Sequence, residues 1–290
     1  MVFSTVDLTP CIGTEIRCDK ATLLGGEHAE EIRDVLIRRG VVVFPKVGMT
    51  DDEQIAFSET LGALQNEPGE SRVFKVSLDP KESTRANGLR GSFFWHIDGT
   101  TDQVPIFASI LGVRRLAPVG GETEFCNTSA AYDALPDEEK AAIDDLTVHH
   151  SSVSNMRYVD PEMPYELYLR LRERGADLPL VWKHHHGGRS LILGATAEYV
   201  HDRSYEDSLD VLMRLRDWAT ERRFVYRHRW SEGDLVAWDN TGVMHRVIPY
   251  AADCGRLMHR TTLAGIETFR GALRTGAESP ACESMGMGMA

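Results

Sequence analysis

The sequence predicts a mainly β protein, with a closed or double-sheet β core carrying helical insertions. Three observations predict it. Between residues 93 and 263, short apolar, β-branched and aromatic runs recur with turn residues between them. The helical patterns near the N-terminus precede these runs rather than alternating with them as in a parallel α/β sheet. The phosphate-cradling patterns GxGxxG and GxxxxGK[ST] and the GxSxG elbow are absent.

Residues 12–18 read as a short strand. From His28 to Arg39, Ile32, Val35 and Leu36 share a face at helical spacing, and Gly40 follows as a C-cap. Val41-Val42-Val43-Phe44, closed by Pro45, reads as a buried strand. Thr50-Asp51-Asp52-Glu53 is a capping box that opens a helix carrying Ile55 and Leu61. Residues 65–92 are rich in Glu, Ser, Pro and Gly and predict a long loop of the kind that serves as an active-site lid. Strands follow at Phe93–Asp98, Phe107–Val113, Thr123–Asn127, Leu191–Leu193, Phe224–Trp230, Leu235–Asp239 and Leu257–Leu263. Helices interrupt at Pro136–Leu146, with proline in its first turn, and from about Glu206 to Arg222. Residues 1–275 are expected to form one domain, and 276–290 a frayed tail.

Of 290 residues, 42% are apolar and 26% charged, which excludes a disordered or collagen-like chain. The net charge of −12 weighs against nucleic-acid binding, which draws on cations placed at phosphates. No run approaches the roughly 18 apolar residues of a membrane span, and the N-terminus does not read as a signal peptide. Five scattered cysteines without a CxxC are not a disulfide framework, and they point to a reducing cytoplasm.

Three fragments carry chemistry. In Phe93-Phe94-Trp95-His96-Ile97-Asp98, strand alternation sends His96 and Asp98 to one side, as a two-point metal claw or a His–Asp hydrogen bond on an edge strand. His245 lies far along the chain. Read as more than a loop histidine, it completes two histidines and one carboxylate, the facial triad of non-haem Fe(II) oxygenases. In Arg256-Leu257-Met258-His259-Arg260, the two arginines share a face while His259 points away. Buried, they would require anionic partners, and guanidinium is the preferred fork for a carboxylate. The other reading is an exposed basic strand face.

Taken together, the chain resembles the TauD/TfdA family of Fe(II)/2-oxoglutarate-dependent dioxygenases from about Ile12 to Leu263. The resemblance rests on Trp95-His96-Ile97-Asp98, on Gly120-Gly121-Glu122-Thr123-Glu124-Phe125-Cys126 with Ala130–Pro136, on Arg222–Trp230, and on Gly233–Asn240 leading to His245. Several of these blocks are closer to the aryloxyacetate branch than to the taurine branch. The resemblance implies a double-stranded β-helix (jelly-roll, cupin-like) core flanked by helices. It implies iron held by His96, Asp98 and His245, with 2-oxoglutarate and O2 as cosubstrates. It also implies that Thr123 and Arg260, which lie 27 residues after His96 and 15 after His245, bind the distal carboxylate of 2-oxoglutarate. Arg256 then takes the acid group of the substrate. Where the family carries Asp-Asn-Arg, this chain has Asp239-Asn240-Thr241, a departure that bears on local loop packing.

The implied reaction hydroxylates a small organic acid, with or without later bond cleavage, while 2-oxoglutarate goes to succinate and CO2. Desaturation or cyclisation on the same site is the alternative outcome. Halogenation disagrees with the presence of Asp98, a non-catalytic cupin-like binding protein disagrees with an intact triad, and a nucleic-acid demethylase disagrees with the acidic charge. No membrane partner is expected. Similar proteins form homo-oligomers, although no residue here points to one. Lys183-His184-His185-His186 reads as a strand end and turn, and His149-His150 as ordinary strand or loop structure.

Overall fold

The computed structural model describes residues 3–66, 72–102, 104–269 and 271–272; the predicted tail at 276–290 lies outside them, as do 67–71 of the predicted lid. Two sheets form the core. The larger has seven strands in the order Ser4–Asp7, Thr14–Arg17, Val41–Phe44, Leu235–Asp239, Ala108–Arg115, Leu257–Leu263, Phe74–Val76. All its pairings are antiparallel except that between Thr14–Arg17 and Val41–Phe44. The smaller sheet holds Thr123–Asn127 between Val225–His228 and Val243–Val247.

The larger sheet is covered on both faces, and this is why Val41–Phe44 and most of Leu235–Asp239 are apolar rather than alternating. Val41, Val43, Leu111, Val113, Val236 and Trp238 pack with Phe125 and Val243 of the smaller sheet, forming the core between the sheets. The alternate residues Val42, Phe44, Ala108, Ile110, Leu235 and Ala237 pack against the helical side chains Ile32, Leu36, Phe57 and Leu61. Those helices are Ala29–Arg39 and Asp51–Leu61, the second opened by the predicted capping box at Thr50. Gly40 ends the first with φ +71°, where a Cβ would stand 2.7 Å from Val243 Cγ2. Cys126 and Met244 point out of the smaller sheet into a third cluster, shared with Trp95, Ile97, Trp182 and Leu215 of the Tyr205–Ala219 helix.

The main departure from the sequence expectation falls at 93–98. A 3-10 helix, Gly88–Phe93, leads into a single bridge between His96 and His245, followed at once by a turn. Gly99 at φ +77° begins the reversal that prevents a longer strand. The predicted alternation survives without the ladder, because Trp95 and Ile97 are buried in the third cluster while His96 and Asp98 face the other way. The 65–92 segment also holds more structure than a loop, since Phe74–Val76 closes the edge of the larger sheet. The 151–178 insertion forms helices Ser152–Val159 and Tyr165–Arg172 and the strand Gly175–Pro179. That strand joins Thr147–Ser151 and Ala197–Val200 in a separate three-stranded sheet. Among the described residues, no helix is long and apolar enough to cross a membrane.

Candidate metal centre

The bridge sets the centre. His96 N–H donates to the His245 carbonyl at 3.0 Å, and His245 N–H donates back to the His96 carbonyl at 2.9 Å. This reciprocal pair fixes two histidines from opposite ends of the chain side by side, with ring centroids 4.2 Å apart. Asp98 lies one turn beyond. The nearest oxygens of its carboxylate stand 3.8 Å from His96 Nε2 and 3.8 Å from His245 Nε2. Gly194 is packed against this corner: its φ is +116°, and a Cβ there would stand 2.8 Å from the Trp95 carbonyl oxygen and 3.0 Å from His96 Cα.

The donor set suits a divalent cation. One ligand atom from each of His96, Asp98 and His245 falls within 4.8 Å of the others. His96 Nδ1 lies 2.9 Å from the Phe94 carbonyl, which can only accept, so Nδ1 carries the proton and Nε2 keeps its lone pair. Burial, reinforced by His96 and Arg260, holds the His245 imidazole neutral, the form that ligates. At Asp98, burial favours the neutral acid, but the Arg260 guanidinium foremost, with the donating Ser109 hydroxyl, outweighs it. The carboxyl titrates far below its ordinary range. Two imidazole nitrogens and one carboxylate oxygen on a single face leave the opposite positions of an octahedron free, so the residues present fit a ferrous ion.

The Asp98 carboxylate is oriented by a polar chain that motif reading does not mark. Ser109 donates to Asp98 Oδ2 at 3.0 Å, Asn240 Nδ2 donates to Ser109 Oγ at 3.1 Å, and Trp238 Nε1 donates to Asn240 Oδ1 at 2.9 Å. Ser109 and Asn240 are fully buried. A buried serine and asparagine inside otherwise apolar strand text were the available signal, since such groups must find partners. The departure at Thr241 is absorbed locally, its N–H and hydroxyl both donating to Asp239 Oδ1.

The two arginines reach different places. Arg260 Nη1 donates to Asp98 Oδ2 at 3.0 Å, and its guanidinium lies 5.1 Å from the Phe74 ring centroid. Arg256 is 3% exposed; its Nη2 donates to the Gly121 carbonyl at 3.1 Å, and it stacks 4.7 Å from the Tyr250 ring. Gly121 makes this approach feasible: φ is +81°, and a Cβ would stand 2.9 Å from Arg256 Nε. Thr123 is buried, and its hydroxyl accepts from Trp230 Nε1 at 3.0 Å. His259 turns away from the arginines and contacts Asp51 at 2.7 Å. The His184 and His185 rings contact the two oxygens of Glu267 at 2.7 and 2.6 Å, pinning a turn as expected of that tract. The large cavity of about 1260 Å³ borders the back of the His96 corner at Trp95 and Gly194, and none of the three ligand residues lines it. It is lined by Glu124, Arg227 and Arg246 of the smaller sheet, whereas the chemistry sits where the ligand atoms converge.

The chain matches the family described as Taurine catabolism dioxygenase TauD, TfdA family, over residues 4–262. It is 34% identical over 262 residues to the alpha-ketoglutarate-dependent 2,4-dichlorophenoxyacetate dioxygenase of Cupriavidus pinatubonensis, covering 84% of this chain and 91% of the relative. It is 28% identical over 251 residues to the (S)-phenoxypropionate/alpha-ketoglutarate-dioxygenase of Delftia acidovorans, covering 81% and 86%. Among solved structures it is similar to AAD-2 in complex with Mn(II) and N-oxalylglycine. The TM-score there is 0.80 at 31% identity, over 93% of this chain and all of that one. With a jelly-roll core, a two-histidine, one-carboxylate face and these relatives, the chain belongs to the TauD, TfdA family of Fe(II)- and 2-oxoglutarate-dependent dioxygenases.

Proposed function

We propose that this dioxygenase hydroxylates a small aryloxyalkanoic acid at the carbon between its ether oxygen and its carboxylate, while 2-oxoglutarate goes to succinate and CO2. The observation that carries the reading is the convergence of His96, Asp98 and His245 with the Arg260 guanidinium held at Asp98. The relatives named for 2,4-dichlorophenoxyacetate and (S)-phenoxypropionate support an aryl ether acid. Hydroxylation at that carbon yields a hemiacetal, which falls apart to a phenol and a 2-oxo or aldehyde acid.

His96, His245 and Asp98 would hold the iron, and iron when bound supplies dioxygen activation and the power to break an unreactive C–H bond. The chain supplies placement. Ser109 and Asn240 keep the Asp98 carboxylate in one orientation. Thr123 and Arg256 are the pair best disposed to grip the distal carboxylate of 2-oxoglutarate. Arg256 lies on the Gly121 carbonyl, two residues before Thr123. Trp230 donates its indole N–H to the Thr123 oxygen, which leaves the hydroxyl hydrogen to donate to an anion. Arg260 then takes the carboxylate of the substrate, because an acid held there lies against the metal face. This reading exchanges the roles that sequence spacing suggested for the two arginines. Phe74, packed against Arg260, offers an apolar surface to an aromatic ring. Free thiols at Cys11, Cys18, Cys126 and Cys254 support a cytoplasmic location.

The test is a screen of aryloxyacetates, aryloxypropionates, alkyl acids and sulfonates with Fe(II) and 2-oxoglutarate, reading succinate and released phenol. Aryloxy acids should turn over, and Asp98→Ala or His96→Ala should abolish succinate formation. Turnover confined to non-aromatic acids would remove the aryloxy assignment, and activity retained in Asp98→Ala would remove the metal assignment.

A further inference from the structure

The three-stranded sheet carries a second convergence of two histidines and a carboxylate, unrelated to the iron face. His149 sits on Thr147–Ser151, directly opposite Asp177 on Gly175–Pro179. His201 follows the end of the third strand, Ala197–Val200, with its N–H donating to the Thr147 carbonyl at 2.9 Å. One ligand atom from each of the three lies within 4.8 Å of the others. His149 Nδ1 is 2.7 Å from Asp177 Oδ1, and His201 Nε2 is 3.0 Å from that same oxygen.

We propose that His149, Asp177 and His201 form a binding site for a zinc-class divalent cation. The backbone already holds the donors in place, since two of them are a cross-strand pair and the third is tethered to the strand between. Tyr199 stacks on the His149 ring at 5.0 Å and 17°, and meets the His201 ring at 5.6 Å. Gly175 leaves room for the His149 ring, where a Cβ would stand 2.8 Å from its Cε1. His201 Nε2 is shielded from solvent and makes no aligned hydrogen bond, although it stands beside the carboxylate. His149 already bonds that carboxylate oxygen, and His201 Nε2 stands at the same atom. A cation placed between the three atoms accepts a lone pair from each.

Two imidazole nitrogens and one carboxylate oxygen suit zinc, with a fourth position open to water. At metal–ligand distances of about 2.0–2.2 Å, tetrahedral donors stand about 3.3 Å apart. Binding therefore opens the present contacts by a few tenths of an ångström. With neutral imidazoles the cluster is anionic, and Asp177 also borders a shallow cavity of about 400 Å³ lined by Asp144 and Asp145 with Lys183, which pairs with both. All three ligands are partly exposed, so the cation can enter from water. Protons compete for the imidazole nitrogens, so affinity falls on acidification. A cation there ties the three strands of this sheet to one another. One of them continues into His150, whose ring contacts Thr196, and Thr196 contacts Thr100, two residues past the Asp98 ligand.

The test uses the full chain and Zn2+ as the probe, in a His96→Ala/Asp98→Ala background so that the iron face contributes nothing. Equilibrium dialysis with elemental analysis at neutral pH should give one bound equivalent. His201→Gln and Asp177→Asn should each weaken binding at least tenfold, with circular dichroism confirming that each variant is folded. A crystal grown with Zn2+ should show an anomalous peak among the three side chains. No bound equivalent in the background chain, unchanged affinity in both variants, or a peak at His184–His186 instead, would overturn the proposal.

Discussion

Replacing Arg256 by Gln should raise the KM for 2-oxoglutarate far more than the KM for the organic acid. Arg256 is 3% exposed, and its guanidinium contacts the Gly121 carbonyl and the ring and hydroxyl of Tyr250. Burial lowers its pKa, which is the signature of a cation kept out of water without a carboxylate beside it. An arriving carboxylate supplies that partner and gains a charge-assisted, forked contact. Hydrogen bonds to charged groups contribute about 1.5–3 kcal/mol net. At 1.4 kcal/mol per tenfold, the expected rise in KM is about 10- to 150-fold. Arg260→Gln is the converse and should raise the KM of the acid substrate by a similar factor. The assay is initial-rate succinate formation, varying each substrate with the other saturating. Should Arg256→Gln leave the 2-oxoglutarate KM within twofold while moving that of the acid, the exchange of roles would be wrong.

Ser109→Ala removes one donor to Asp98 and should weaken Fe(II) binding by about 10- to 100-fold, as loss of an outer partner of a metal ligand does; anaerobic Fe(II) titration reads it. Gly194→Ala places a methyl group 2.8 Å from the Trp95 carbonyl at a left-handed φ, so it should displace the His96 corner and lower both stability and Fe(II) affinity; an unchanged affinity would show that the corner yields freely. Asp239 is buried, and burial lifts its carboxyl to about 6 despite the Thr241 donors. The folded state thus holds a proton that the unfolded state releases near 3.8, and stability falls as pH rises between those values, by on the order of 3 kcal/mol. Asp239→Asn should lack that fall, so in urea denaturation its stability relative to the parent should improve from pH 4 to pH 7. A gap that stays constant would refute the raised value.

The convergence of His96, Asp98 and His245 was legible because the expected chemistry needs few residue types at long separation. The strands Val41–Phe44 and Leu235–Asp239 were legible because burial on both faces leaves nearly continuous apolar text. The 93–98 segment misled because alternation marks which side each residue faces, not whether a partner strand exists, and only His96 finds one. The resemblance assigned the two arginines separate roles, which the proposed reading exchanges. Leu257 and Met258 straddle a register shift against the Ala108–Arg115 strand, which puts Arg256 before the regular ladder and Arg260 within it. Such a shift leaves no mark in a sequence period. Ser109 and Asn240 carry no motif; their roles appear only once Asp98 is seen to need donors.

The face formed by His96, Asp98 and His245 draws on both sheets. His245 belongs to the smaller sheet and brings His96 with it through the reciprocal backbone pair. Asp98 is instead tethered to the larger sheet, through Ser109 and, behind it, Asn240 and Trp238. A slide of one sheet over the other would therefore change the His–Asp separations directly. Trp238 opposes such a slide twice. Its indole N–H anchors the Asp98 chain, while its ring packs 4.7 Å from His245 and 5.5 Å from Phe125 of the smaller sheet. The same aromatic core that buries the space between the sheets thus sets the distances among the ligands, and close-packed interiors resist the shear that would spoil them.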